Sequence, residues 1–286
     1  LYTTMFASAF PERHFNMGIA EQNMIGCAAG FAIRGKIPFA CTFAVFAIGR
    51  AWEQVRTSLG YGNLNVKVIG SHAGISVGED GASHQALEDI AIARAIPNFK
   101  VFCPVDAVET KQLIKEIVDN KGPAYVRLSR PNVPIIYDKS YRFKIGFASV
   151  LKDGTDVCIF ATGMLVHSAL EAAKKLEMQG ISTAIINVCS IKPIDEDLIA
   201  EYATKCKMLV SAEDHNIIGG LGGAIAEVLT KKCPKYLYRI GVEDVFGESG
   251  KYEELYKRYG LDEAGVYQKV FEKWRSKAWR AGAGGS

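Results

Sequence analysis

One short stretch is the most informative for the fold of this chain: Gly78-Glu79-Asp80-Gly81-Ala82-Ser83-His84-Gln85. It places three acidic or imidazole side chains and two glycines in eight residues, just before an amphipathic run. Glycine accepts backbone angles that other residues avoid, and loops over a rigid scaffold often carry binding and catalytic residues. The stretch therefore predicts a glycine-bent loop that holds polar side chains over a site, instead of a plain helix or strand.

The pattern around this loop predicts an α/β fold. Short β-branched or aromatic runs alternate with helical periods, including a predicted helix over residues 84–96. This alternation is typical of parallel sheets with helices on both faces, so we expect two doubly wound domains. The alternation breaks after Arg130, where two prolines lie in an extended polar stretch. The expected division is a first domain at 1–135, a linker at 136–147, a second domain at 148–280 and a flexible tail at 281–286.

Composition excludes several classes of protein. The 286 residues carry 34 Lys and Arg against 31 Asp and Glu, a balance that gives no argument for nucleic-acid binding. No apolar run reaches the roughly 18 residues of a membrane span, so no membrane partner is expected. Seven cysteines without a C-x-x-C pair indicate neither zinc nor a thioredoxin motif, and predict a cytoplasmic setting. The chain begins at Leu1 and not at Met, which suggests an incomplete N-terminal domain.

A second stretch, Gly18-Ile19-Ala20-Glu21-Gln22-Asn23-Met24, places one carboxylate at the start of an apolar helix. On composition alone, the plainer interpretation is that Glu21 offsets the helix dipole in the first turn. A carboxylate in an apolar niche would instead have its charged form disfavoured and could share a proton with the ring nitrogen of a ligand.

Together, the two stretches make the chain similar to the transketolase family of thiamine diphosphate enzymes, over about residues 5–275. The resemblance implies that Glu21 is catalytic: it binds the aminopyrimidine ring nitrogen opposite the amino group and drives the ring toward its imino tautomer. It also implies that Phe43 and Phe46 form the apolar wall on which the pyrimidine stacks, although aromatic residues at this spacing are commonly core. Because Phe46–Arg50 departs from other forms of the family, which ring stacks stays open.

The same resemblance implies the substrate residues. His72 and Arg130 would bind the sugar phosphate, and Asp80 would bind a substrate hydroxyl. His84 would be the second catalytic residue, near the cofactor amino group and the substrate carbonyl. Arg130 ends a predicted strand, where ligands bind to parallel sheets, and guanidinium suits bidentate phosphate binding. The plainer alternatives are a core histidine, an Asx turn and a surface charge.

The glycine-rich stretch also contains a second motif, because Gly74-Ile75-Ser76-Val77-Gly78 fits the G-x-S-x-G pattern of hydrolases. That motif requires a helix directly after the serine, and a flexible Gly-Glu-Asp-Gly follows here instead. Hydrolysis is therefore disfavoured.

One expected motif is missing. Thiamine diphosphate enzymes bind the metal of the diphosphate with Gly-Asp-Gly and a later Asn, and this pair does not occur in the sequence. The chain therefore resembles the C-terminal subunit of a split transketolase, with no metal ligands of its own. The resemblance implies a partner subunit that carries the diphosphate-binding domain with Mg²⁺ or Ca²⁺, two copies of each chain, and ketol transfer between sugar phosphates, as in the pentose phosphate pathway.

Three alternatives remain beside this interpretation. Deoxyxylulose phosphate synthases have a His-His pair where this chain has His84-Gln85, and 2-oxoacid dehydrogenase β subunits such as that of pyruvate dehydrogenase have a different glutamate motif. A scaffolding subunit without catalysis would have no need of the four residues together: Glu21, His72, Asp80 and Arg130.

Overall fold

The computed structural model describes residues 3–277 and 279. The helices are α1 (Thr4–Ala9), α2 (Glu21–Ile33), α3 (Trp52–Gln54), α4 (Asp89–Arg94), α5 (Ala107–Asp119), α6 (Leu165–Glu177), α7 (Glu196–Lys205), α8 (Leu221–Lys232), α9 (Tyr252–Tyr259) and α10 (Glu263–Ser276). Wide π-helical turns flank α3 at Val45–Arg50 and Val55–Tyr61, and 3₁₀ turns lie at Pro11–Arg13 and Ile75–Asp80. None of the helices in these described residues is long and apolar enough to cross a membrane.

The strands form two sheets. They are β1 (Phe39–Phe43), β2 (Lys67–Ser71), β3 (Lys100–Phe102), β4 (Ala124–Arg127), β5 (Ser149–Lys152), β6 (Val157–Ala161), β7 (Thr183–Asn187), β8 (Ser190–Lys192), β9 (Met208–Asn216) and β10 (Leu237–Val242). The first sheet has the order β1-β2-β4-β3-β8, and the second has the order β10-β9-β6-β7-β5. All neighbours are parallel except β3 with β8 and β5 with β7.

Both sheets are buried on two faces. In β6, Ile159 packs into one apolar cluster with residues of α6 and α10, whereas Phe160 packs into another with residues of α7 and α8. In the first sheet, Val101 and Phe102 divide in the same way between a cluster with α2 and a cluster with α5. Successive side chains of a strand point to opposite faces, so each face is covered by helices. The predicted α/β fold with two doubly wound domains is confirmed.

The helix predicted over residues 84–96 is wrong at its start. Residues 82–84 form a turn, Ala86 forms an isolated parallel β-bridge with Ala73, and helix α4 covers only Asp89–Arg94. The reason is that Gln85 turns inward, where its side-chain amide donates to the carbonyl oxygens of Gly78 (3.3 Å) and Glu248 (2.9 Å). The bond to Glu248, which lies 163 residues away, outweighs the local helical pattern.

The predicted linker at 136–147 packs firmly against its neighbours. The backbone N–H groups of Ile136 and Tyr137 donate to the Asp106 carboxylate at 2.7 and 2.9 Å. The Tyr141 hydroxyl donates to the buried Glu109 carboxylate at 2.7 Å. Two short strands that the sequence pattern does not predict, β5 and β8, follow this segment. Strand β8 comes from the second half of the chain but extends the first sheet, so the two halves share a sheet edge. The domain boundaries stay a prediction, and 281–286 lies outside the described residues.

A buried charge network joins the two halves of the chain. The Arg127 side chain donates to the Asp89 carboxylate (2.8 Å), and to the backbone oxygens of Asp214 (2.6 Å) and Ala86 (3.2 Å). The Tyr125 hydroxyl donates to the same Asp89 oxygen at 2.6 Å. Burial and the Asp89 charge raise the pKa of Tyr125 well above its usual range, so the phenol keeps the proton that it donates. Through the hydrogen bond from Arg127 to the Ala86 carbonyl oxygen, the network holds the loop that follows Gly81.

Candidate active site

The predicted site residues lie at one edge of the first sheet. Strands β1, β2 and β4 are parallel neighbours, and Phe43 of β1 pairs with Ser71 of β2. His72 follows β2 directly, and Arg130 follows β4 within three residues. The carboxyl ends of parallel strands are where α/β proteins bind ligands. The topology therefore brings together residues that are far apart in the sequence.

Glu21 is buried at the first position of α2, yet its surroundings are polar. The Arg50 guanidinium donates to Oε2 at 3.1 Å, and the Thr42 hydroxyl lies 3.5 Å from Oε1. The expectation of an apolar niche is wrong, because the wide turn Val45–Arg50 carries a cation to the carboxylate. In this structure Glu21 is one half of an ion pair.

Several aromatic and imidazole rings lie together near Glu21. The rings of Phe43 and Phe46 are parallel within 8° with their centres 6.1 Å apart, and His72 stacks on Phe43 at 4.1 Å. His84 meets Phe46 edge-on at 5.2 Å. Parallel aromatic faces of this kind offer a surface on which a flat ring can stack. The structure thus gathers Phe43, Phe46, His72 and His84 into one cluster beside Glu21.

His72 has an unusual backbone. Its φ angle is +54°, a left-handed conformation that is uncommon outside glycine, although asparagine, aspartate and histidine adopt it more often than other residues. The ring is held by its stack on Phe43 and by a 3.0 Å contact between Nδ1 and the Ser71 hydroxyl. Burial lowers the pKa of His72, the nearby positive charge of Arg130 lowers it further, and Asp80 opposes both. Strain that the surroundings maintain is common at functional sites.

The glycine-rich loop packs against the second half of the chain. The N–H groups of Ile75 and Ser76 donate to the Asp214 carboxylate at 2.9 and 3.4 Å. Gly74 has φ +70°, and a side chain there would meet Asp214 at 2.3 Å, so only glycine fits. The Ser76 hydroxyl is buried and donates to the Ala73 carbonyl at 2.6 Å, which is a structural role and not that of a hydrolase nucleophile.

Asp80 and Arg130 form an exposed pair at the outer end of this loop. Arg130 Nη1 donates to the Val77 carbonyl oxygen at 2.5 Å and to Asp80 Oδ2 at 3.0 Å. Both side chains are more than two-fifths exposed, so they are accessible to a ligand. The pair is within electrostatic reach of His72, because both charges affect the pKa of that imidazole.

Sequence reasoning missed Arg50, Thr42 and Asp214. A signal for Arg50 was present, since the stretch Phe46–Arg50 departs from other forms of the family. Thr42 directly precedes Phe43 in β1, so it lies at the same end of the strand as the aromatic cluster, beside Glu21. Asp214 lies at the end of β9 and contacts a loop 138 residues earlier in the chain, for which no local pattern exists.

The sequence of this chain is similar to two protein-family models and to known proteins. Residues 1–135 match the family model of the transketolase pyrimidine-binding domain, and residues 146–266 match that of the transketolase C-terminal domain. A putative transketolase C-terminal section from Methanocaldococcus jannaschii is 51% identical over 96% of this chain and 87% of that protein. The 6-deoxy-6-sulfo-D-fructose transketolase subunit SqwH of a Clostridium species is 41% identical over 96% of this chain and 85% of that protein.

A solved structure described as a split gene transketolase, inactive beta4 tetramer, has a TM-score of 0.89 and 48% identity, and the match covers 96% of this chain and 89% of that one. This chain therefore belongs to the transketolase family. Within the family it carries the pyrimidine-binding domain followed by the C-terminal domain. The predicted resemblance to the C-terminal subunit of a split transketolase is confirmed.

Proposed function

We propose that this chain is the C-terminal subunit of an enzyme that transfers a two-carbon ketol unit between sugar phosphates, with thiamine diphosphate as the cofactor. The observation that carries the proposal is the buried Glu21 carboxylate beside the parallel rings of Phe43 and Phe46. A flat heteroaromatic ring needs a face to stack on and an acceptor near its edge, and these residues offer both. One relative is named for a sulfonated fructose, which supports anionic sugars as the substrate class.

The residues present fit the pyrimidine half of that cofactor. The Arg50 guanidinium is itself a planar cation with N–H donors in its plane. It lies 4.3 Å from the Phe46 ring centre and donates to Glu21, so a flat, N–H-bearing group is already accommodated there. When bound, thiamine diphosphate supplies an acidic carbon and an electron sink for the bond cleaved in the ketose.

The chain's own residues take the following roles in the proposal. Glu21 shares a proton at its carboxylate with the pyrimidine ring nitrogen, and Phe46 or Phe43 orients the ring. His84, edge-on to Phe46, is assigned to the cofactor amino group and the substrate carbonyl. His72 and Arg130 bind the substrate phosphate, and Asp80 accepts a hydrogen bond from a substrate hydroxyl.

The proposal assigns the diphosphate and its Mg²⁺ or Ca²⁺ to a partner subunit. Several apolar side chains near the helix that begins with Glu21 are exposed: Phe15 by 58%, Ile19 by 92% and Ile33 by 71%. Apolar surface of this kind marks protein interfaces. It supports contact with another subunit, and the assembly that we propose has two copies of this chain and two of the partner. The seven cysteines are free thiols, which supports a reducing, cytoplasmic setting. The proposed pathway is that of the pentose phosphates.

We expect ketol transfer to appear only when this chain is mixed with a diphosphate-binding transketolase subunit from the same source. The assay is coupled aldose release from a phosphorylated ketose, with thiamine diphosphate and Mg²⁺ present, and each chain alone serves as the control. The physical reason is that this chain offers the pyrimidine site but lacks the metal-binding motif for two phosphates. Robust turnover by this chain alone would contradict the split arrangement.

Substitution of the phosphate residues should separate two kinds of substrate. Arg130→Ala, and His72→Asn, which tolerates the left-handed backbone, should each raise KM for phosphorylated sugars by about 10- to 100-fold relative to unphosphorylated ones. A hydrogen bond to a charged group contributes about 1.5–3 kcal/mol. Asp80→Ala is the matched comparison, because it should alter the preference between hydroxyl stereoisomers instead. Equal losses for both substrate types would remove the phosphate role.

A further inference from the structure

Arg50 contacts the two groups of the proposed cofactor site that matter most. Its Nη1 atom lies 3.1 Å from Glu21 Oε2, and its guanidinium carbon lies 4.3 Å from the centre of the Phe46 ring. Its backbone oxygen accepts a weak hydrogen bond from the Gln22 side chain at 3.4 Å. The side chain is 48% exposed, whereas the Glu21 side chain is only 7% exposed. Arg50 therefore covers a buried carboxylate from the solvent side.

The local backbone accounts for this placement. The N–H of Ala51 bonds to the Phe46 carbonyl at 3.3 Å, five residues apart, which is the spacing of a π-helical turn. Phe46 and Arg50 then lie on one face of the wide turn Val45–Arg50, next to the start of α2. Such wide turns occur often at functional sites.

We propose that Arg50 is a built-in competitor of the cofactor's pyrimidine ring: its guanidinium covers Phe46 and pairs with Glu21 until the cofactor displaces it. This inference rests on the proposed function. One planar cation occupies both the stacking face and the acceptor that the pyrimidine would use, so the two cannot be bound there together. Because Arg50 is half exposed on a flexible stem, it can leave into solvent without moving the backbone.

The contact of Arg50 with Glu21 and Phe46 has two opposite effects: it stabilises the cofactor-free subunit, and it weakens cofactor binding. A buried carboxylate without a cation is unfavourable, so Arg50 stabilises the subunit when no cofactor is bound. A ligand that needs the uncovered state binds with an apparent affinity reduced by the fraction of molecules that are uncovered. Loss of Arg50 should therefore tighten cofactor binding and, in the same protein, weaken the ligand-free fold.

The test measures thiamine diphosphate binding by isothermal titration calorimetry to the reconstituted pair with Mg²⁺. Arg50→Met should lower the Kd by about tenfold, the combined size expected for an ion pair that is exposed on its Arg50 side only and a cation–π contact. Arg56→Met is the matched control, because Arg56 is exposed in the same helical stretch but lies over Trp52, at 6.0 Å from its ring centre. Its Kd should equal that of the wild type. The thermal midpoint of the cofactor-free Arg50→Met chain should fall by about 2–4 °C.

An equal or weaker affinity of Arg50→Met overturns the inference, whatever its midpoint, since the guanidinium would then support the bound cofactor instead of competing with it. If circular dichroism shows that Arg50→Met does not fold, Arg50→Lys keeps the charge but loses the planar stacking face, and about a threefold gain is expected. Failure of the proposed function is seen separately: the wild-type pair would not bind thiamine diphosphate, or Glu21→Gln would bind and turn over as the wild type does.

Discussion

Glu21→Gln should lower the turnover number of the reconstituted pair by about 10²–10⁴-fold at saturating thiamine diphosphate and Mg²⁺. Glutamine keeps the length and one acceptor of glutamate, but it cannot hold or release a proton at the position of Oε2. Positioned proton transfer contributes an effect of this size. Steady-state kinetics over a range of cofactor concentrations gives the turnover number at saturation, so that weaker binding is separated from slower chemistry.

The matched control is Glu171→Gln. Glu171 is an exposed residue of α6 that pairs with Lys174 at 2.7 Å, in the other half of the chain. Its removal should leave turnover and the melting temperature unchanged, because exposed pairs contribute little. If Glu21→Gln retains wild-type turnover at saturating cofactor, the proton role of Glu21 is wrong. The scaffolding alternative would then gain support.

Asp89→Ala should lower the free energy of unfolding by about 3–5 kcal/mol, as measured by urea titration of the chain. The substitution leaves the buried Arg127 guanidinium without its carboxylate and the Tyr125 hydroxyl without its acceptor. Breaking a buried ion pair by removal of one partner typically costs this much, because an uncompensated charge remains inside. The loop at 74–85 should also lose protection against hydrogen exchange, since Arg127 bridges the Ala86 and Asp214 carbonyls.

A double variant tests whether the loss of stability comes from an unpaired buried charge. Asp89→Leu combined with Arg127→Met removes both charges, and it should cost less than Asp89→Ala, because no unpaired ion is left buried. Glu171→Ala at the exposed pair on α6 should cost no more than about 0.5 kcal/mol. If Asp89→Ala is as mild as Glu171→Ala, the buried pair of Asp89 and Arg127 does not stabilise the fold as argued.

Local patterns predicted the features that depend on a few neighbouring residues. The glycine-bent loop is present, with φ near +79° at Gly78 and +73° at Gly81, because only glycine adopts such angles without strain. The alternation of strands and helices is also present, since side-chain periodicity in each segment reflects which face is buried. Glu21 begins a helix as predicted, and Ile25, Ala28 and Ala29, at helical spacing after it, form the buried face of α2.

The prediction that a helix starts at His84 failed because a distant residue, and not a neighbouring one, decides the structure of this segment. Its residues have a helical pattern, but Gln85 is bound by the carbonyl of Glu248, which lies 163 residues away. Helix propensity is a weak preference of a few tenths of a kcal/mol per residue, so buried hydrogen bonds from another domain can override it.

The sequence by itself determined the α/β class, the glycine loop and the resemblance to the transketolase family, because each rests on residues within a short motif. The roles that the resemblance implies for site residues stay predictions: Glu21, Phe43, Phe46, His72, Asp80, His84 and Arg130. Only the tertiary structure decided which of these side chains meet. The partner of Glu21 is Arg50, 29 residues away, and the support of the loop is Asp214. Such pairs form because parallel strands end at one sheet edge and a second domain packs upon it. No local pattern records contacts of that kind.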